Sequence, residues 1–438
     1  MPGDAPLRIA FLAYRGNMRC GGQGVYLWFL ARELARLGHR VDVFVGPPYP
    51  APMPFARSVT QLPNGEFWGK WFNGEKAAFR PEGGWLRMFE PINFYELGAS
   101  RLGFLPEPFA FSLRAWRALA ARLRAGDRYD LIHDVQTLGW GHLGIQRFGV
   151  PMVTTIHHPL TVDRRHSFQR DETLTDAVGT MQFHPVGMQA FVARQMARVI
   201  TSSEVSAREI ARDFRVAPDR IRNLSNGLDT GLFHPDPSVE RDPHEILCVG
   251  RAGDPTKGVD TLVDALALLP APTHVTLVDQ DHPLHRARKR AAALGCGDRL
   301  HVTGRVTDAE LVRLYNRATV VAVPSNFEGF GLPAAEAMAC GTPVVASTAG
   351  ALPEVVEAGG GGLLVPPRDP EALAKGIRAL LEQPEARQEL SARSRDRVIA
   401  NFSWPAIARR TEAVYHETLR EHRGTANETL RDHRNTGS

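Results

Sequence analysis

Two glutamates, Glu328 and Glu336, lie on either side of a glycine turn in the sequence EGFGLPAAEAMACGTPVV (328–345). The apolar run 319–324 predicts a buried strand before the turn, and Pro333 suits the first turn of a following helix. A helix N-terminus and a glycine backbone can receive a phosphate, whereas carboxylates repel one. The two acids therefore suit hydroxyl groups on either side of a bound diphosphate. The alternative is that Glu336 complements its own helix terminus and Glu328 is a solvated loop residue.

A second group of charges lies in GRAGDPTKGVDTL (250–262), where Arg251 and Lys257 follow a predicted strand and precede a predicted helix. Two cations at such a place can neutralise a diphosphate and stabilise the charge that develops as it leaves. The Gly-Lys-Ser/Thr of a Walker loop is absent. The alternative is that both residues are solvated loop cations, as most basic residues are.

Two further candidate features, a glycine loop and a histidine pair, lie in the first half of the chain. Gly21 and Gly22 lie in CGGQGVY (20–26), which is not the GxGxxG fingerprint of a dinucleotide site. His157 and His158 follow a predicted strand, and neighbouring residues on a strand point in opposite directions, so they form a poor metal pair. Each feature also fits a structural role, a tight turn or a packed histidine.

Together these stretches resemble the family-4 retaining glycosyltransferases, which carry a Glu-x7-Glu signature and have the two-lobed GT-B fold. The resemblance implies that Glu328 contacts the hydroxyls of the donor sugar and that Glu336 holds the ribose of the sugar nucleotide. It also implies that the backbone amides around Phe330, Gly331 and Leu332 face the sugar and the phosphates.

The same resemblance assigns roles to the other residues. Arg251 and Lys257 are similar to the family pair that grips the donor phosphates, and Gly22 with its neighbour Gly21 is similar to the glycine loop of the opposite lobe. His157 matches a family histidine that lines the cleft near donor and acceptor. Separately from the resemblance, residues near Arg305 and Val306 are expected to face the donor base.

The reaction implied is the transfer of a hexosyl group from a nucleotide-diphosphate sugar to an acceptor hydroxyl, with retained configuration. The departing phosphate takes the acceptor proton, and neither a metal ion nor another cofactor is required. Alternatives are a sugar-nucleotide epimerase of the same architecture and a non-catalytic sugar-nucleotide-binding protein. A glycosidase is disfavoured, since it needs its two acids flanking the glycosidic bond at a set separation.

Alternating strand and helix patterns predict an α/β protein with two Rossmann-like lobes facing a central cleft. The first lobe spans 1–234 and is interrupted by the Pro-, Gly- and aromatic-rich insertion 47–111, which has no clear periodicity. The nucleotide-sugar-binding lobe spans 245–402. A helix over 403–423 crosses back to the first lobe, and 424–438 is a polar tail.

Composition limits the class of protein and of partner. A chain of 438 residues is long enough for two domains, and a net charge of +4 gives no argument for nucleic acid. Four cysteines without metal-ligand spacing predict a reduced, cytoplasmic protein. No apolar run is long enough to span a bilayer, so any membrane contact, at the inner face, would be peripheral. Small-molecule, glycan and lipid-linked acceptors all fit.

Overall fold

The computed structural model describes residues 5–18, 22–63, 85–102, 104–157, 159–161, 186–281 and 285–435. The chain forms two compact units. The first unit comprises Met1–Ser202, Ser206–Leu224 and Ala408–Ser438, and the second comprises Ser203–Val205 and Ser225–Ile407.

The described part of the first unit is built on a seven-stranded parallel sheet of order β3-β2-β1-β4-β5-β6-β7. Its strands are β1 (Arg8–Ala13), β2 (Arg40–Val45), β3 (Ser58–Gln61), β4 (Leu131–Val135), β5 (Met152–Thr155), β6 (Arg198–Thr201) and β7 (Ile221–Asn223). Its α-helices are α1 (Gly22–Arg36), α2 (Pro91–Arg101), α3 (Glu107–Arg124), α4 (Gly141–Gln146), α5 (Val186–Ala193) and α6 (Glu204–Glu209). The order reverses between β1 and β4, and ligands of doubly wound sheets bind at such a switch point.

The described part of the second unit is built on a six-stranded parallel sheet of order β10-β9-β8-β11-β12-β13. Its strands are β8 (Asp242–Val249), β9 (His274–Val278), β10 (Leu300–Val302), β11 (Ala318–Val323), β12 (Val344–Ser347) and β13 (Gly362–Val365). Its helices are α7 (Val259–Leu268), α8 (Arg286–Ala293), α9 (Asp308–Arg317), α10 (Leu332–Ala339), α11 (Leu352–Gly359), α12 (Pro370–Glu382) and α13 (Pro384–Phe402). The last helix of the chain, α14, spans Trp404–Asn435.

Strand β11 shows why the second sheet forms at the predicted place. All six of its residues are buried. Val320 and Ala322 pack into the core on one face of the sheet, and Val321 and Val323 pack into the core on the other. A strand covered on both faces needs a continuous apolar run, which is what residues 319–324 supply. The strand therefore delivers the glycine turn at its carboxyl end.

The boundary between the units lies after Leu224, earlier than the predicted end of the first lobe at 234. The amide of Leu228 donates to the carbonyl oxygen of Phe402, and the guanidinium of Arg395 donates to the carbonyl oxygens of Thr230 and Phe233. These bonds attach the segment after the boundary to the second unit. Sequence composition could not reveal them because the partners are distant in the chain.

Two other segments, the insertion and the tail, contain regular structure. The insertion 47–111 contains regular structure, since β3 pairs in parallel with β2 and α2 lies within it, while residues 64–84 are outside the described residues. The tail 424–438 is helical as far as Asn435, because α14 continues through it. Glu428, Arg431 and Arg434 are good helix formers, so the polar composition of the tail does not by itself end the helix.

Helix α3 is basic and amphipathic, with Arg114, Arg117, Arg122 and Arg124. Its apolar face is buried in the core of the first unit through Phe111, Ala115 and Leu119. The helix therefore covers the sheet with its apolar face, as amphipathic helices of globular proteins do. Within the described ranges, no helix is both long and apolar enough to cross a membrane.

Candidate active site

The Glu328 carboxylate lies in the loop between β11 and α10 and is nearly buried. Its Oε1 atom accepts a hydrogen bond from Lys257 Nζ at 2.7 Å and another from the Ser325 hydroxyl at 2.9 Å. Only 11% of the side chain is accessible, against 29% for Lys257. The structure thus brings together an acid and a cation that the sequence placed in separate loops.

The backbone of Glu328 is fixed as well as its side chain. Its carbonyl oxygen accepts a hydrogen bond from the Ala351 amide at 2.9 Å. Gly350 has φ of +59°, and a Cβ atom there would lie 2.1 Å from the same oxygen. Only glycine satisfies both requirements, since other residues rarely adopt that φ and have no room for their side chain.

Lys257 is held against the same loop by close backbone packing. Asp254 caps the short 3-10 helix Pro255–Lys257 by accepting a hydrogen bond from the Thr256 amide at 3.0 Å. Gly258 follows with φ of +62°, and a Cβ atom there would lie 2.0 Å from the carbonyl oxygen of Pro324. The glycine therefore lets the loop after β8 approach the end of β11.

Arg251 lies at the start of that loop, where 74% of its side chain is exposed. Its guanidinium lies 3.5 Å from the Asp254 carboxylate, so its ion-pair partner differs from that of Lys257. The next amide, of Ala252, donates to Asp279 at 2.7 Å, which fixes the backbone beneath the exposed arginine. The second cation is thus presented to solvent on a fixed loop.

The glycine turn enters α10 with a conformation that needs Gly331, whose φ is +103°. The Phe330 ring is buried and meets the Phe402 ring edge-on at 5.6 Å between centroids. Phe330 can therefore offer a ligand only its backbone. Leu332, the first residue of α10, is 38% exposed, and the first amides of a helix have no acceptor in a preceding turn. This terminus can receive an anion.

Glu336 is one turn further along α10, and its Oε2 atom accepts a hydrogen bond from the Tyr315 hydroxyl at 2.7 Å. Part of the side chain stays accessible, yet the protein around it is dense enough that burial raises the pKa of Glu336 to about 7. Burial also raises the pKa of Tyr315 well above its ordinary value. Tyr315 therefore stays a hydrogen-bond donor. Sequence reasoning missed it because its position on α9 has the spacing of a core residue.

Val306 is half-buried and immediately precedes Thr307, which caps α9. The Thr307 hydroxyl accepts from the Glu310 amide, and the Glu310 carboxylate accepts from the Thr307 amide, so the helix start is fixed. Because α9 also carries Tyr315, this helix connects Val306 to the residue that contacts Glu336.

In the first unit, His157 lies just beyond β5. Its backbone N–H donates to the Gln136 side-chain oxygen at 3.0 Å, and its ring meets the Tyr26 ring edge-on at 4.9 Å between centroids. Gly22 begins α1, while Gly21 and His158 lie outside the described residues.

The loop after β4 is strained and firmly held. Gln136 and Leu138 have φ of +55° and +50°, which is uncommon for residues other than glycine. The buried Asp134 carboxylate accepts hydrogen bonds from His142, from Thr154 and from the backbone amides at the turn. Burial would raise the pKa of Asp134, but these partners outweigh it and lower the pKa. Strain supported in this way is common at functional sites.

In the described part of the chain, no cluster of three or more histidine, cysteine, aspartate or glutamate residues could hold a metal ion. The prediction of a reaction without metal or cofactor stays a prediction.

The sequence matches two family models. The model described as "Glycosyltransferase Family 4" matches residues 20–232, and the one described as "Glycosyl transferases group 1" matches residues 232–397. Together they extend over both units.

Similar proteins of known name cover nearly the whole chain. A protein named MMP alpha-(1->4)-mannosyltransferase, from Mycolicibacterium hassiacum, is 40% identical over 417 residues, which cover 94% of this chain and 98% of that protein. A D-inositol 3-phosphate glycosyltransferase from Saccharomonospora viridis is 32% identical, with 96% of each chain covered.

Solved structures agree on the fold. Sucrose-phosphate synthase from Thermosynechococcus elongatus has a TM-score of 0.65 at 27% identity, over 95% of this chain and all of that one. HepE from Anabaena, in complex with UDP, has a TM-score of 0.66 at 20% identity, over 94% of this chain and all of that one. At 20% identity, the likeness to HepE supports the fold alone.

Proposed function

This chain belongs to glycosyltransferase family 4 and has the GT-B fold, and from that premise we propose that it is a retaining enzyme using a nucleotide-diphosphate sugar. It is a glycosyltransferase of the hexosyltransferase type. The proposal adds the donor class, the stereochemical outcome and the absence of a metal requirement.

The observation that carries the proposal is the cluster of Lys257, Ser325 and Glu328 beside the start of α10. It lies beyond the carboxyl ends of β8 and β11, where ligands of open α/β sheets bind. The ammonium group of Lys257 has three donors, so it can hold Glu328 and also contact a phosphate oxygen. Glu328 then keeps its remaining lone pairs for hydroxyl groups of the donor sugar.

The rest of the donor extends along α10 in this proposal. The amides of Gly331 and Leu332 and the exposed Arg251 neutralise the diphosphate, while Glu336 accepts hydrogen bonds from the ribose hydroxyls. Charge grows on the leaving diphosphate as its bond to the sugar breaks, and cations and amides positioned in advance stabilise that charge. In this proposal Val306 faces the base.

Transfer then follows a front-face course. The bond between the anomeric carbon and the diphosphate oxygen breaks, the acceptor hydroxyl oxygen forms the new bond on the same face, and the departing phosphate takes the acceptor proton. The family resemblance also assigns His157 and the glycine loop at Gly22 to donor binding and transfer.

The similar proteins support the classes of substrate. The relatives are named for mannosyl transfer and for transfer involving inositol 3-phosphate. We therefore propose a hexose donor and a sugar, glycan or lipid-linked acceptor. A cytoplasmic enzyme, with peripheral membrane contact when the acceptor is lipid-linked, belongs to the same proposal.

The proposal is tested by replacing Glu328 with alanine, with the exposed Glu357→Ala of the same unit as control. Donors are nucleotide-diphosphate hexoses, including mannose and glucose donors, and binding of the bare nucleotide diphosphate is measured in parallel. Glu328→Ala should lose transfer by about 100-fold or more, while nucleotide affinity and the control change little. Transfer that survives while nucleotide binding collapses would contradict these roles. Conversion of the donor without any acceptor would instead identify an epimerase.

A further inference from the structure

A chain of buried hydrogen bonds crosses the first unit. The Tyr415 hydroxyl of α14 lies 2.5 Å from His133 Nδ1 on β4, and His133 Nε2 lies 2.7 Å from the Thr155 hydroxyl on β5. The Thr155 hydroxyl lies 2.9 Å from the Tyr26 hydroxyl on α1. Tyr26 is 4% exposed, and the other three are buried at least as deeply.

The donor and acceptor roles along this chain of hydrogen bonds are linked, so the bonds on the two sides of His133 cannot change direction independently. Burial lowers the pKa of His133 to about 3, so its ring is neutral at ordinary pH. A neutral imidazole has one donor nitrogen and one acceptor nitrogen, so the bond at one nitrogen determines the role of the other. The orientation of the Tyr415 hydroxyl is thereby linked to the orientation of the Thr155 hydroxyl.

Folding stability alone gives a weak reason for such a network. A buried hydrogen bond contributes about 1 kcal/mol net, and an apolar pair of the same shape can be nearly neutral in its place. A fully satisfied polar network does, however, hold its members in one arrangement. The member at its end, Tyr26, is therefore held in position.

The Tyr26 ring meets the ring of His157 at 4.9 Å with an interplanar angle of 82°. This edge-to-face contact is the preferred geometry of an aromatic pair. The backbone of His157 is held separately by the side chain of Gln136. The imidazole is thus constrained from two directions, by its own backbone and by the tyrosine ring.

We propose that Tyr26, held by Thr155, His133 and Tyr415, is a positioning residue that sets the orientation of the His157 imidazole for glycosyl transfer. The inference rests on the role of His157 in the proposed function. Tyr26 acts through His157 and need not touch the substrate.

The experiment is a double-mutant cycle between Tyr26 and His157 in the full-length enzyme. Tyr26→Leu removes the ring and should lower kcat by about 10- to 100-fold, because a misplacement near 1 Å can cost about 100-fold. The donor KM and the affinity for the bare nucleotide diphosphate should stay near wild-type values. In the His157→Ala background the same change should lower kcat by less than about 3-fold, since the residue it positions is gone.

Three further variants separate positioning from general destabilisation. Tyr26→Phe keeps the ring but loses the hydroxyl bond to Thr155, so its kcat should fall between those of wild type and Tyr26→Leu. Tyr415→Phe breaks the far end of the network without altering the ring and should lower kcat in the same direction by a smaller factor, whereas wild-type kcat in both variants would show that the network does not hold Tyr26. Tyr129→Leu removes another buried tyrosine of the first unit that lies before β4, away from His157. It should leave kcat unchanged in both backgrounds after correction for folded protein.

Equal losses from Tyr26→Leu in the wild-type and His157→Ala backgrounds would overturn the inference. Wild-type kcat in His157→Ala would overturn it too, while leaving the proposed transfer activity in place. Failure of the proposed function would look different, as the wild-type enzyme would then transfer sugar from none of the donors.

Discussion

Replacing Glu336 with glutamine should make the stability of the protein less dependent on pH. The native pKa of Glu336 is raised by burial to about 7 from its ordinary value of 4.5. Between these values the folded state binds a proton that the unfolded state releases. The wild-type protein therefore loses stability as the pH rises from about 4.5 to about 7, and glutamine, which does not ionise, avoids the loss.

The magnitude follows from the interval between the two pKa values. At about 1.4 kcal/mol per pKa unit, an interval of 4.5 to about 7 corresponds to roughly 3 kcal/mol. Because the side chain keeps some accessible surface, solvent reduces this to between roughly 1 and 3 kcal/mol. Glu336→Gln should thus be close to wild type in free energy of unfolding at pH 5 and more stable by that amount at pH 8.

The assay is urea unfolding followed by circular dichroism at pH 5, 6, 7 and 8, with Glu357→Gln as the exposed control in the same unit. Tyr315→Phe adds an internal check. Removing the hydroxyl that donates to Glu336 should move the wild-type transition to higher pH. A stability difference between Glu336→Gln and wild type that is the same at pH 5 and pH 8 would refute the reasoning.

Three further predictions concern activity. Lys257→Ala should lower kcat/KM by about 100-fold, because the negative charge on the leaving diphosphate loses a stabilising cation. The exposed Lys375→Ala should leave kcat/KM unchanged, and equal effects of the two changes would contradict the role of Lys257. Gly350→Ala should lower transfer by at least about 10-fold, because its Cβ would displace the Glu328 carbonyl, and wild-type turnover would disprove that close approach. EDTA should leave turnover unchanged, and a loss restored by magnesium would contradict the metal-free course.

Much of the fold, and the local structure that carries the candidate site residues, could be predicted because the signals are local. The apolar run of β11 marks a buried strand, and Gly331 with Pro333 marks the turn into α10. Glu328 and Glu336 follow from their spacing around that turn. Such features depend on neighbouring residues, which the sequence shows directly.

The rest of the fold and of the site depends on contacts between residues that lie far apart in the sequence. Glu336 accepts a hydrogen bond from Tyr315, whose hydroxyl reaches the site only because α9 packs beside α10. The partner of Lys257 is Glu328, which belongs to another loop, and Gly258 permits their approach. Strand β3 is short and half-exposed, so its residues lack the apolar run of a central strand.

The most direct test of the central claim is a crystal structure of this chain with a bound nucleoside diphosphate. We expect the diphosphate within hydrogen-bond distance of Lys257 Nζ and of the amides that begin α10, with the ribose hydroxyls donating to Glu336. A diphosphate bound away from Lys257, or a phosphate group rather than a ribose beside Glu336, would contradict the account.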